Sequence, residues 1–245
     1  MIRAAILAVT FSTVFLFMAD PAAAQDLSLP ITEDGSLTAR SIQVFLLITV
    51  LSLAPGIAIM VTCFPFIVTV LSILRQAIGL QQSPPNMMMV SLAMFLTYYV
   101  MEPVFTQAWT TGVEPLMAEL IDIETAFELT AEPFRQFMAA RLDPDTYTHL
   151  ASLRPDTVNT EPGPDAPLSV LVPSFMLSEI ARAFQIGFLI FLPFLIIDLV
   201  VAAVLMSMGM MMVPPAIVSL PFKLSFFVIA DGWSLIAGSL VRSYF

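Results

Sequence analysis

Apolar residues in this chain come in long blocks separated by short polar punctuation. Arg3 precedes an apolar run from Ala4 to Met18, and Pro21-Ala22-Ala23-Ala24 leads into Gln25. That run is short for a bilayer span and ends in small residues at the A-x-A spacing, so it reads as a secretory signal over residues 1–24, cleaved between Ala24 and Gln25. Residues 25–40 then form a short extracytoplasmic segment. From Ser41 to Leu74 there are 34 residues without a charge; as one straight helix they would be about 51 Å long, far more than one span. Pro55-Gly56 and Pro65 are the available breakers. The pattern therefore predicts a membrane helix over residues 42–62 and a kinked continuation toward Leu74. The polar turn Gln81, Gln82, Ser83, Pro84, Pro85 and Asn86 follows, then a second apolar helix to about Phe105, closing a first membrane hairpin over residues 41–106.

Between Glu102 and Arg182 the pattern changes, with thirteen acidic and four basic residues. Residues 107–182 are expected to form a small, acidic, helical domain outside the cytoplasm. Leu116, Leu120, Ile123 and Phe127 recur at helical spacing and predict one amphipathic helix. A second helix is expected to begin at Pro133, a favourable first-turn residue. Phe134, Phe137 and Met138 on it are assigned to that domain's core. The proline-rich stretch from Arg154 to Pro167 is expected to be a loop with too little apolar surface to order itself. A second hairpin occupies residues 183–230, turning at Met208-Gly209-Met210-Met211-Met212-Val213-Pro214-Pro215, and residues 231–245 form a C-terminal helix. The fold class that results is an all-α integral membrane protein. It has two kinked helical hairpins, nominally four transmembrane helices, with the small helical domain between them.

Composition narrows the chemistry. Of 245 residues, 58% are hydrophobic and 11% charged, against roughly 25% charged in an ordinary soluble domain, which excludes a soluble globular enzyme. Nineteen acidic residues against nine Lys and Arg offer no clustered cations for nucleic acid. One cysteine, Cys63, and one histidine, His149, cannot supply a Cys/His zinc site or a histidine-led triad. Cys63 reads as a small packed side chain and His149 as a surface residue, with no cofactor implied.

Charges inside apolar runs need partners. Asp198 and Lys223 are 25 residues apart and lie about 12 residues, roughly 18 Å of helix, either side of the hairpin turn. They should reach similar depth and pair within one hairpin or between adjacent subunits. Glu179 and Arg75 are further candidates for buried charge or assembly contacts, although Glu179, Glu102 and Arg182 at span ends also suit charges reaching the interface along their stems. The signal segment places the mature N-terminus, the acidic domain and the C-terminus outside the cytoplasm and both hairpin turns inside, with Arg75 beside the first turn.

Five motifs resemble the FliP family of flagellar biosynthetic proteins: residues 74–86 (LRQAIGLQQSPPN), residues 183–188 (AFQIGF), residues 197–201 (IDLVV), residues 208–212 (MGMMM) and residues 220–224 (LPFKL). Their order, with the signal segment and the acidic stretch between hairpins, extends the resemblance over nearly the whole mature chain. Phe66 departs from it, standing where the family usually carries arginine. The resemblance implies a core subunit of the flagellar type III export gate in the bacterial inner membrane at the flagellar basal body, without enzymatic activity. The implied assembly has five copies of the chain together with FliQ and FliR, and contacts FlhB and other export-apparatus proteins. Implied substrates are unfolded flagellar proteins, and lipid surrounds the complex. In such assemblies the hairpins stack into a tapered cone raised toward the periplasm.

The resemblance also implies that Met210, Met211 and Met212 form the closing constriction of the pore. Unbranched thioether chains could seal against water and ions yet deform around a passing polypeptide. Gly209 and Pro214-Pro215 break the helices on either side. By residue type alone, three methionines at a turn equally suit apolar packing or lipid contact. A proton- or ion-coupled transporter using Asp198 and Lys223 is the alternative function, and an intramembrane hydrolase lacks a base within the spans.

Overall fold

The computed structural model describes residues 37–80, 84–210 and 212–245. The expected signal segment with Ala24 and Gln25, the turn residues Gln81 and Gln82, and Met211 lie outside the described residues. Every regular element among the described residues is helical. The chain divides into two compact units, up to Leu53 and from Ala54.

The described part of the first unit belongs to helix α1 (Leu37–Met60), whose apolar side chains from Ile42 to Leu53 are exposed on all sides. An all-round apolar helix is a membrane element. In the second unit α1 continues through Pro55 and stops at a turn over Val61–Cys63, immediately before Pro65, which occupies a first-turn position of α2 (Phe64–Ile78). Proline lacks the N–H that first-turn residues leave unpaired, so Pro65 starts a helix where it would break one already running.

Helix α2 is the hub of the second unit. Phe66, Ile67, Val70, Leu71, Leu74, Ala77 and Ile78 are all buried, a spacing of three and four that keeps one broad face inward. They pack against α3 (Asn86–Ala108) and α7 (Leu168–Ser207) in one continuous core. Gly187 permits the close crossing of α2 and α7, since a Cβ there would lie 2.4 Å from Ile73 Cδ1. Gly79, at φ 88°, ends α2 in the left-handed conformation and returns its N–H to Gln76 O.

The middle of the chain differs from the helix pattern in its sequence in three ways. Helix α3 passes through a π-helical turn at Trp109–Val113 into the short α4 (Glu114–Met117), and a break precedes α5 (Ile123–Arg141). The series Leu116, Leu120, Ile123 and Phe127 is therefore split, and Leu120, Ile123 and Phe127 are exposed, not a core face. Pro133 does not start a helix but lies buried within α5. The carbonyl its missing N–H leaves free, Leu129 O, accepts from the Thr111 hydroxyl at 3.2 Å. Residues 153–167, after α6 (Pro144–Ser152), are fastened by polar bonds where apolar burial is scarce. Arg135 Nη1 donates to Pro164 O (3.1 Å) and Ala166 O (3.0 Å), and Tyr147 Oη lies 2.8 Å from Thr160 Oγ1. Phe134 and Phe137 pack against the main core, and Phe137 also touches a second buried cluster formed by Met138, Tyr147, Val170, Leu171 and Phe175.

Helix α7 runs unbroken for 40 residues, about 60 Å, so the change of composition at residue 182 falls inside one element. A reverse turn leads to α8 (Pro215–Ile229), which meets α9 (Gly232–Arg242) at a 61° bend. Asp231 takes φ 47° at that bend, a conformation short polar side chains tolerate. Gly232 is needed beside it, because a Cβ would sit 2.2 Å from the Phe227 ring. Three described helical stretches are long and apolar enough to cross a membrane: Ser41–Met60, Asn86–Met117 and Leu168–Ser207. The pair α8 and α9 makes a fourth only if the bent pair counts as one span.

Candidate functional site

Three features carry the polar and exposed chemistry of the second unit. The first lies where α7, α8 and the end of α2 meet. Lys223 Nζ donates to Asp198 Oδ2 at 2.6 Å and to Ala77 O at 3.1 Å, and Ser219 Oγ donates to Asp198 Oδ1 at 2.6 Å. Ser219 and Lys223 are one turn apart on α8 and so present both donors to a single carboxylate. Ala77 O belongs to the last turn of α2, where helix carbonyls lack intrahelical partners and the helix dipole favours a cation. One ammonium thus ties α7 and α8 to the end of α2. The Lys223 side chain is 7% exposed and that of Asp198 33%, so the cation is the more deeply desolvated partner.

The second feature is centred on Glu179, which is completely buried and does not reach out along its stem. Arg141 Nε donates to Glu179 Oε1 at 3.1 Å, Arg182 Nη1 lies 3.5 Å from the same oxygen, and the Tyr244 hydroxyl donates to Oε2. The Arg141 guanidinium lies 4.0 Å from the Tyr244 ring centroid and donates to Ser243 O at 2.6 Å. Burial, followed by the neighbouring carboxylate, pushes the Tyr244 phenol well above its ordinary range, which keeps it a donor. Phe66 packs edge-on to Tyr244 with centroids 5.6 Å apart, and its ring centroid is 5.8 Å from the Arg141 guanidinium.

The third is the turn between α7 and α8. Helix α7 ends in a paired closure, Gly209 N–H to Met206 O (3.1 Å) and Met210 N–H to Leu205 O (3.0 Å), with Gly209 at φ 74°. Pro214 and Pro215 then start α8. Met210 is 41% exposed and Met212 97%, so both thioethers project from the turn. Between α2 and α3 Arg75 Nη1 donates to Asn86 Oδ1 and lies 3.5 Å from Pro84 O, while Pro85 occupies the N-cap position of α3.

Of the residues singled out by sequence, Asp198 and Lys223 are brought together within one chain, and Arg75 meets Pro84 and Asn86. Glu179 is about two helical turns upstream of Gly187 in α7 and belongs to the separate cluster with Arg141. Sequence reasoning missed Arg141, Ser219, Ser243 and Tyr244. Ser219 carried a signal, lying four residues before Lys223; Tyr244 carried none. His149 is exposed and Cys63 buried. No group of three or more His, Cys, Asp or Glu gathers among the described residues.

The sequence profile of the FliP family matches residues 47–240. The chain is 49% identical over 243 residues to a flagellar biosynthetic protein FliP of Caulobacter vibrioides, covering 99% of this chain and 91% of that protein. It is 54% identical over 214 residues to the protein of that name from Agrobacterium fabrum, 86% of each chain. The FliP of Bacillus subtilis is 44% identical over 217 residues, 87% of this chain and 96% of the relative.

Proposed function

Given that the chain belongs to the FliP family, we propose that it is the channel-forming subunit of the flagellar type III export gate, passing unfolded flagellar proteins during flagellum assembly. In this reading five copies assemble with FliQ and FliR in the inner membrane at the flagellar basal body and contact FlhB. The acidic domain and the C-terminus face the periplasm, and the chain works without a catalytic centre. Met210, Met211 and Met212 from each copy form the deformable closure of the pore.

The observation that carries the gate reading is the outward projection of Met210 and Met212 from a turn held by Gly209 and the diproline. Large apolar side chains left exposed at a tight turn are poised to meet their counterparts in other copies. A ring of them would close by apolar contact and open by rotamer change, without breaking a hydrogen bond. The carboxylate and ammonium that an ion-coupled transporter would need, Asp198 and Lys223, are paired with each other, which gives that alternative no support.

The test replaces all three methionines by alanine in cells that assemble the complex. Membranes carrying the assembled triple variant should leak small ions while the native complex does not. Unchanged conductance in a fully assembled triple variant would return these residues to packing.

A further inference from the structure

Beside the charged joint an open cleft of about 810 Å³ runs along α2 toward the start of α8, within the size range of small-molecule sites. Its walls are of two kinds. Thr69, Ser72 and Gln76 stand one and two turns apart on one face of α2, with Arg75 beside them, while Ile73 and Phe184 supply apolar surface. A polar stripe on a helix otherwise built for apolar surroundings calls for a polar occupant, and the apolar wall beside it calls for hydrocarbon. We infer that this cleft holds an anionic phospholipid, its phosphate against Arg75 and Gln76 and an acyl chain along Ile73 and Phe184.

Charge selects that occupant. Arg75 is the only Lys or Arg between residues 41 and 134, and among the described residues its hydrogen bonds go through Nη1 to Pro84 O and Asn86 Oδ1. Those acceptors are neutral, so the guanidinium has no counter-ion among the described residues. A second copy of the chain cannot supply one at this depth. Residues 41–101 contain no Asp or Glu, and residues 183–230 contain only Asp198, which is bound to Lys223 and Ser219. An anionic lipid brings both the missing charge and the apolar tail, the combination recognised by basic pockets between membrane helices. This inference requires only that the chain resides in a membrane, and failure of the gate reading would leave it standing.

The experiment offers the purified full-length chain equal amounts of phosphatidylglycerol and phosphatidylcholine with matched acyl chains and counts retained lipids by native mass spectrometry. Phosphatidylglycerol should be preferred about fivefold, the effect of one cation near the headgroup. Arg75→Gln should abolish the preference and Arg75→Lys should keep it. Thr69→Trp should also abolish it by filling the cleft, while leaving the contacts of Arg75 with Pro84 and Asn86 intact. An excess of inorganic phosphate should leave the retained lipid in place. Equal retention of the two lipids, or a preference that survives both Arg75→Gln and Thr69→Trp, would overturn the proposal. Displacement by inorganic phosphate would overturn it in favour of a free-anion site. Loss of FliQ and FliR from the Arg75→Gln complex with lipid retention unchanged would make the cleft a protein interface.

Discussion

Breaking the Asp198–Lys223 pair from its two ends should have unequal consequences, because the two side chains are unequally buried. Asp198→Asn leaves an ammonium whose side chain is 7% exposed with the Ala77 carbonyl and a neutral amide as partners. Removing one member of a buried pair costs on the order of 3–5 kcal/mol, and the lower end applies because the Ala77 bond survives. Lys223→Met leaves a carboxylate that is 33% exposed and still holds Ser219. Its cost should be about half as large, roughly 1.5 kcal/mol, mostly from the lost charged hydrogen bond and the orphaned Ala77 carbonyl. Each kcal/mol corresponds to roughly 2–4 °C in a chain of this size. Thermal unfolding of the detergent-extracted chain should therefore fall by about 6–12 °C for Asp198→Asn and about 3–6 °C for Lys223→Met. The double variant Asp198→Asn/Lys223→Met, with no buried charge left, should lose less than Asp198→Asn alone. Strictly additive losses in that cycle would refute the pairing argument, and so would wild-type stability in both single variants.

Two further perturbations probe the frame around the site. A Cβ at Gly112 would lie 2.8 Å from Thr130 N and 2.9 Å from Ala126 O, whereas one at Gly187 would meet the Ile73 side chain. Gly112→Ala should thus cost about 3 kcal/mol and Gly187→Ala about 1 kcal/mol, since backbone yields less than a side chain; the same unfolding assay decides, and the reverse order would contradict the reasoning. Bonds from the Thr146 hydroxyl and N–H hold the Asp143 carboxyl below the usual carboxylate range, so its contribution is present above the unfolded pKa of about 3.9 and lost as pH falls through the lower folded value. The protection factor of the Thr146 amide, its exchange rate corrected for the intrinsic pH dependence, should fall across that acidic window in the native chain, and Asp143→Asn should remove that fall.

The long apolar blocks were legible because membrane helices announce themselves by length and by the absence of charge. The near-central placement of Asp198 and Lys223 about one turn was legible by counting. Their rotation about each helix was not, because an all-round apolar helix has no periodicity to report which face is inward. The middle of the chain misled for a different reason. Leu116, Leu120, Ile123 and Phe127 have helical spacing, but the break after Met117 and a new helix at Ile123 separate them. Pro133 looked like a helix start because its tolerance inside α5 depends on Thr111, 22 residues earlier in the chain. Arg141 and Tyr244 meet Glu179 across 38 and 65 residues, and local pattern contains nothing about such separations. The projection of Met210 and Met212 follows from residues that could be read directly, a glycine before them and two prolines after.

Whether this chain acts as one of several identical walls of a pore is decided by the native mass of the complex. The full-length chain, produced together with FliQ and FliR and purified from membranes through a tag on this chain alone, should run as a single particle whose mass requires five copies of it. A stable particle containing one copy, with or without the other two proteins, would contradict the account, because a single turn bearing three methionines cannot encircle a passage.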